Sequence, residues 1–302
     1  MLGIVTPVKN ESRNLRFLAQ TVLSQTRRPD LWVIVDDGST DDTPKLIKSL
    51  ENNYNFITSL SLPTKHMKYD PIYRYGHVVH VGLEYALKTD DIEFLGVLDA
   101  DIRLKEDYYE KTLAAFKSNT KIGITSGSYI VSYRKNKSIL RRERSNELIG
   151  GAMIFSKKCL LDIGGFPICP SPDTAALIKA VNRGWRLGIV TSTYAIHIRP
   201  SESWTKFLRA GLSRYILDLH PLSALFSGPL QALKNLSPAP LGFTIGYFMG
   251  ILYRLKKIED KEITQYFNKR FHRGIYKILR RTSAGERFGT DPIKRSVIKI
   301  SI

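Results

Sequence analysis

The chain has 302 residues, 43% of them hydrophobic, and carries 46 Lys and Arg against 28 Asp and Glu, a formal net charge of +18. That length and apolar content can bury at least one full core, as one large domain or as a domain with an appendage. Two cysteines, Cys159 and Cys169, exclude a disulfide framework or a metal knuckle and suit a reduced, cytosolic chain.

The first stretch, Leu2 to Val8, has no basic leader and meets Pro7, Lys9 and Asn10 too early to be a signal peptide. It reads as a short buried strand. Leu15, Leu18, Ala19, Val22 and Leu23 follow at helical spacing. LWVIVDD, Leu31 to Asp37, is a second strand, and the acid- and hydroxyl-rich turn after it opens a helix over Pro44 to Leu50. ITSLSL is a third strand, His77 to Leu87 a helix, and FLGVLDAD a fourth strand ending at Asp101. Asp107 to Lys117 is helical and IGITSGSYIV is another strand. Strand-helix alternation with continuous apolar strands predicts an α/β fold, a mostly parallel twisted sheet flanked by helices. Ligands of such sheets sit at the carboxyl ends of the strands.

Two of those ends are acidic. Asp36 and Asp37 close the second strand, and Asp99-Ala100-Asp101 close the fourth. Crowded carboxylates repel one another and are costly to desolvate unless a cation or donor groups compensate. Either pair alone would read as a solvated turn or a helix cap. Together, at equivalent strand ends, they point to a ligand. In an extended segment the spacing i, i+2 sends Asp99 and Asp101 to one face, and such hard oxygen ligands select Mg²⁺ or Mn²⁺. A dinucleotide site would need Gly-x-Gly-x-x-Gly after the first strand, and TPVKNES has no glycine.

Four stretches in order resemble glycosyltransferase family 2, with the A-type nucleotide-sugar fold, over roughly residues 1–200. They are Pro7-Val8-Lys9-Asn10-Glu11, Asp36-Asp37-Gly38-Ser39-Thr40-Asp41, Asp99-Ala100-Asp101, and GGAMIFSKKCLLDIGGFP ending at Pro167. The resemblance implies that Asp37 reads the nucleotide base by accepting a hydrogen bond from a ring nitrogen. It implies that Pro7, Lys9, Glu11 and Val35 line the base and ribose site. Asp99 and Ala100 would face the ribose or the metal-bound diphosphate, and Asp101, with Asp99, would hold the metal.

An inverting member of that family needs a base for the acceptor hydroxyl. The resemblance places it as the aspartate of a Glu-Asp pair that opens a helix past Gly-Gly-Phe. In GGFPICPSPDTAAL that aspartate is Asp173, with Pro172 where the family has its first acid. Asp173 also suits a helix N-cap, and one residue can do both. The resemblance offers His197, in YAIHIRP, as a third metal ligand, against a purely structural role. Arg199 is a candidate partner of the diphosphate, because a guanidinium fork suits phosphate oxygens. The basic and aromatic segment around residues 65–80 receives no role.

The last third, 201–302, reads as a separate helical and basic region appended to a catalytic domain at 1–200. Leu236 to Tyr253 has no charged residue, but Pro238 and Pro240 leave only Leu241 to Tyr253 as a clean helix, too short to span a bilayer. From Arg254 to Ile302 there are 14 Lys and Arg against 5 Asp and Glu, a net of 14 − 5 = +9. That combination suits interfacial attachment to an anionic membrane, against a packed appendage or a true span. The expected function is metal-dependent inverting transfer of a sugar from a nucleotide-diphosphate donor to a lipid-linked or glycan acceptor, peripherally at the cytoplasmic membrane face. The alternative is a basic nucleic-acid- or phosphate-binding protein without catalysis. It explains the tail and leaves the two acidic strand ends unexplained, and no nucleic-acid partner is expected.

Overall fold

The protein is described from a computed structural model over residues 1–62, 72–135, 138–144, 147–198, 203–269 and 291–302. Strands and helices alternate at first: β1 (Leu2–Val8), α1 (Ser12–Leu23), β2 (Leu31–Asp36), α2 (Thr43–Asn53), β3 (Ile57–Ser61), α3 (Arg74–Leu87) and β4 (Phe94–Val97). Then come β5 (Ile102–Leu104), α4 (Tyr108–Ser118), β6 (Ile122–Lys135), β7 (Ser138–Arg144), β8 (Ile154–Ser156), α5 (Lys157–Asp162), α6 (Pro172–Asn182) and β9 (Arg186–Ile198). The remaining elements are α7 (Trp204–Ile216), α8 (Pro221–Asn235), α9 (Leu241–Leu252), a short helix at Pro292–Ser296 and β10 (Val297–Ile300).

One sheet runs β10-β9-β6-β8-β4-β1-β2-β3, with β5 on β9 and β7 on β6. The α/β expectation holds. Pairings β1/β2, β1/β4, β2/β3, β6/β9 and β9/β10 are parallel. The short strands β5, β7 and β8 join antiparallel. β1 and β2 are buried over nearly their whole length because both faces are covered, which is why they read as apolar runs rather than alternating ones. α1 covers one face with Leu15, Leu18, Ala19 and Val22. α3 lies so close to the other that a Cβ on Gly82 would collide with Val5 and Val35. That close approach holds the first turn of α3, Arg74 and Tyr75, over the carboxyl ends of β1, β2 and β4.

The chain forms two compact units, one of Met1–Ile168, Pro172–Pro200 and Ser296–Ile302, the other of Cys169–Ser171 and Ser201–Arg295. The sequence reading divides the chain once, at 200, and misses the return. Val297 and Ile300 pair in parallel with Leu187 and Val190 of β9, so the last residues complete the sheet. Their β-branched side chains favour a strand, but the flanking Lys294, Arg295 and Lys299 hide the short run in a basic tail. Among the described residues no helix is long and apolar enough to cross a membrane. Both cysteines are buried and neither is in a disulfide.

Candidate active site

A cleft of about 290 Å³ opens at the carboxyl ends of β1, β2 and β4. Pro7, Lys9, Glu11, Asp37, Asp99, Ala100 and Asp101 line it, together with Val8, Arg74, Tyr75 and Val78. Parallel pairing of β1 with both β2 and β4 brings their ends to the same edge. Of the described residues singled out from the sequence for the nucleotide, only Val35 is not among the lining. It is fully buried in β2 and faces Gly82 of α3, one layer beneath the cleft.

The Asp36–Asp41 segment divides its work. Asp36 accepts hydrogen bonds from the Ser39 amide (3.0 Å) and hydroxyl (2.6 Å), which folds the turn around Gly38. Gly38 has φ 74°, a conformation that favours glycine. Asp41 accepts from the amides of Ser12 (3.2 Å) and Thr43 (2.9 Å), the first residues of α1 and α2. Those hydrogen bonds, led by Thr43, hold its carboxyl near a pKa of about 2. Asn10, at φ 55°, ties the β1 loop to this turn by accepting from the Thr40 amide (2.7 Å).

Asp37 alone turns into the cleft. The Arg74 guanidinium grips its Oδ1, with Nε donating at 2.6 Å and Nη2 in an ion pair. Lys9 Nζ donates to its carbonyl oxygen at 3.0 Å and lies 3.5 Å from Oδ2. Arg74 and Asp37 are both buried, so each compensates the desolvation of the other. Sequence reasoning assigned Arg74 nothing, because pairing across 37 residues leaves no local pattern.

Asp99 and Asp101 reach the cleft by a different route from the one expected. β4 stops at Val97, and Asp99 to Asp101 form a turn closed by the Ile102 amide on the Asp99 carbonyl (3.2 Å). The extended i, i+2 geometry therefore does not apply. The turn, pinned by the Asp99 amide on the Gly151 carbonyl (2.8 Å), brings both carboxylates to the cleft. Tyr75 donates to Asp99 Oδ1 at 2.7 Å. Burial raises the Asp99 carboxyl to about 6, the Asp101 and Asp173 charges add to the rise, and the Tyr75 hydrogen bond opposes it. Glu11 is also raised, first by burial and then by charges that include Asp101.

The glycines of the fourth stretch act here. A Cβ on Gly151 would collide with the Asp99 carboxylate, and one on Gly150 with that of Asp173. Asp173 stands in the first turn of α6, and its charge is felt at Asp99 and Tyr75. The Gly-Gly pair thus leaves room for the two carboxylates beside it, although Asp173, unlike Asp99, is not among the residues that line the cleft.

His197 lies in β9, opposite Ile102 of β5. Its Nε2 is 2.8 Å from Asp101 Oδ2, and its Nδ1 is 3.1 Å from the Tyr129 hydroxyl. With the proton on Nε2, the imidazole donates to Asp101 and accepts from Tyr129. That arrangement sets His197 behind Asp101, in the position from which a carboxylate ligand is oriented. Tyr129 left no signal in the sequence. Arg199 lies outside the described residues.

Among the described residues no group of three or more His, Cys, Asp and Glu side chains is arranged to hold a metal ion unaided. The donor set still fits Mg²⁺ or Mn²⁺. These ions take one or two carboxylates and complete their shell with water and substrate phosphates. Asp99 and Asp101, mutually repelling and partly desolvated, supply such a pair.

A family model described as glycosyl transferase family 2 matches residues 3–182. Poly-β-1,6-N-acetyl-D-glucosamine synthase of Staphylococcus epidermidis is 23% identical over 196 residues, 59% of this chain and 43% of that protein. The Staphylococcus aureus enzyme of the same name is 23% identical over 198 residues. The chain thus spans less than half the length of these curated relatives. Among solved structures it is similar to the mannosyltransferase PcManGT from Pyrobaculum calidifontis in complex with GDP-Man and Mn²⁺, with a TM-score of 0.55, 15% identity and coverage of 93% of this chain and 81% of that one. It is also similar to GalNAc-T7 with UDP, GalNAc and Mn²⁺, with a TM-score of 0.52, 16% identity and coverage of 67% and 44%.

Proposed function

The chain belongs to glycosyl transferase family 2, and from that premise we propose that it moves a hexosyl group, with inversion, from a nucleotide-diphosphate sugar to a lipid-linked or glycan acceptor. The observation that carries this reading is the meeting of Lys9, Asp37, Asp99 and Asp101, from three separate strand ends, around one cleft.

In this reading Asp37 accepts a hydrogen bond from a ring N–H of the base, and Arg74 and Lys9 hold its carboxylate still. Pro7, Lys9 and Glu11 flank the base and ribose, while Val35 supports Asp37 from below. Ala100, small and buried, leaves room for the diphosphate. Asp101, with Asp99, would hold Mg²⁺ or Mn²⁺, and such an ion neutralises the charge of the diphosphate leaving group. His197 belongs to the metal centre by orienting Asp101.

Asp173 is the general base. As the acceptor oxygen attacks the anomeric carbon from the face opposite the diphosphate, its proton passes to the Asp173 carboxylate. The anomeric C–O bond to the diphosphate breaks, and the configuration inverts. The closeness of Asp173 to Gly150, next to the Gly151 that lies against Asp99, supports this role. The acceptor is met at a membrane, with the protein peripheral at its cytoplasmic face.

Titration calorimetry with UDP and GDP, each with and without Mn²⁺, tests the reading. Metal-dependent binding that Asp101→Ala abolishes is expected. Binding of neither nucleotide, alongside tight salt-sensitive binding of DNA, would overturn it. A screen of UDP- and GDP-sugars, reading released nucleoside diphosphate, then identifies the donor.

A further inference from the structure

We propose that α8 and α9 form a helical hairpin whose outer face inserts into the apolar boundary of an anionic lipid bilayer. The proposal names the surface through which the enzyme meets its membrane. Its test reads lipid binding and not turnover, so either reading can fail without the other.

The packing of α8, and of α9 apart from Tyr247, is inverted. A globular helix buries its large apolar residues and shows small or polar ones. In α8 the buried residues are Ala224 and Gly228, while Leu222, Phe226, Leu230 and Leu233 are exposed. Phe226 is 56% exposed and Leu233 74%. In α9 Gly242, Gly246, Tyr247 and Gly250 are buried, while Ile245, Phe248 and Leu252 face outward. The spacing is helical on both, so each presents a continuous apolar stripe rather than scattered residues.

The glycines bring the helix backbones together. A Cβ on Gly246 would collide with the Leu208 carbonyl of α7, and one on Gly211 with the Phe243 carbonyl of α9. A Cβ on Gly228 would collide with Thr244. Thr244 Oγ1 donates to the Ala224 carbonyl at 2.8 Å, joining α8 to α9. Small residues inside, a hydroxyl on a neighbouring backbone and large apolar side chains outside are the packing rules of helices whose solvent is lipid. α9 has 12 residues, or about 18 Å. That is well short of a hydrocarbon core of about 30 Å. The hairpin therefore lies in the interface and does not span.

Charge decides what covers the face. From residue 203 to residue 258 there are seven Lys and Arg and a single acid, Asp218. Asp218 is itself engaged by Lys257. A second copy of the chain would set two positive faces against each other, whereas anionic headgroups complement them. Exposed Lys234 follows the outer stripe of α8 and exposed Arg254 follows α9, whereas Lys256 beside it is paired with Glu259 at 2.7 Å. Lys234 and Arg254 lie where cationic anchors belong at headgroup level.

Sedimentation of the full chain with vesicles checks this. Vesicles of phosphatidylcholine with about a third phosphatidylglycerol should carry the protein down, neutral vesicles much less, and added salt should weaken the binding. Phe226→Gln with Leu233→Gln should lower the partition by about tenfold or more, with circular dichroism and thermal unfolding unchanged. Leu161→Gln, at an equally exposed leucine of the other unit, should bind as the wild type does. The proposal fails if the wild type stays in the supernatant with anionic vesicles, or if the double variant binds as well as the wild type. It also fails if light scattering shows a wild-type dimer that the same substitutions dissolve, because a second copy then covers the face.

Discussion

Gly151 lies directly against the Asp99 carboxylate, and a single methyl group on it would collide with Asp99 Oδ2. Tyr75 holds the opposite oxygen of that carboxylate at 2.7 Å, so Asp99 cannot yield without breaking this hydrogen bond.

Gly151→Ala should therefore displace Asp99 and lower metal-dependent turnover by at least about tenfold. A buried hydrogen bond is lost and an ordered ligand is misplaced, each a change on the order of 1 kcal/mol or more. Steady-state kinetics across a Mn²⁺ titration check it. An unchanged Mn²⁺ requirement and turnover would mean that Asp99 does not serve the metal.

Asp173→Asn keeps the shape beside Gly150 but removes the carboxylate proposed as the proton acceptor. Donor affinity by calorimetry should be preserved while turnover falls by about 10²-fold or more, the usual contribution of a general base. If turnover survives, Asp173 is only the acidic start of α6.

Arg74→Ala leaves the buried Asp37 carboxylate with Lys9 as its charged partner in the cleft. Removing one partner of a buried pair costs roughly 3–5 kcal/mol, because a desolvated charge is left behind. Urea unfolding should show a loss of that order, and Arg74→Lys should recover only part of it, since an ammonium lacks the guanidinium fork. A loss below about 1 kcal/mol would mean that water replaces the guanidinium at little cost.

Asp107 gives the acid side of stability. Its burial raises the pKa, but hydrogen bonds from Thr193, Lys105 and Lys111 outweigh that and bring it down to about 2. The folded pKa is depressed, so the stabilisation is complete above the unfolded value near 4 and is lost as pH falls from about 4 to about 2. Chemical denaturation at a series of pH values should show Asp107→Asn to be less stable than the wild type at pH 7. The two should converge toward pH 2. Parallel curves would exclude this source.

Cys159 is fully buried, and that burial raises its thiol to about 12. It should resist iodoacetamide under native conditions and react once the chain is unfolded, because the thiolate is the nucleophile. Mass spectrometry of the alkylated peptide reads the difference.

Much of this was legible along the chain, because local rules govern it. Apolar runs at β1, β2 and β4 predict buried parallel strands, and a parallel sheet sends acidic strand ends to one edge. That gathers Asp37, Asp99 and Asp101, and the resemblance to glycosyltransferase family 2 adds Pro7, Lys9 and Glu11. The clean helix predicted from Leu241 is α9, with its end one residue earlier.

What the sequence by itself determined was the order of strands and helices, the family, and which carboxylates meet. Hydrophobic period and turn chemistry act over a few residues and need no partner. Only the tertiary structure decided that Arg74 grips Asp37, that His197 and Tyr129 stand behind Asp101, and that Val35 lies beneath the cleft. It also decided that the last residues rejoin the sheet and that large apolar side chains of α8 face outward. Each of these depends on contacts between segments far apart in the chain. There the direction of a side chain is set by what the fold packs against it, and neighbours in sequence carry no trace of it.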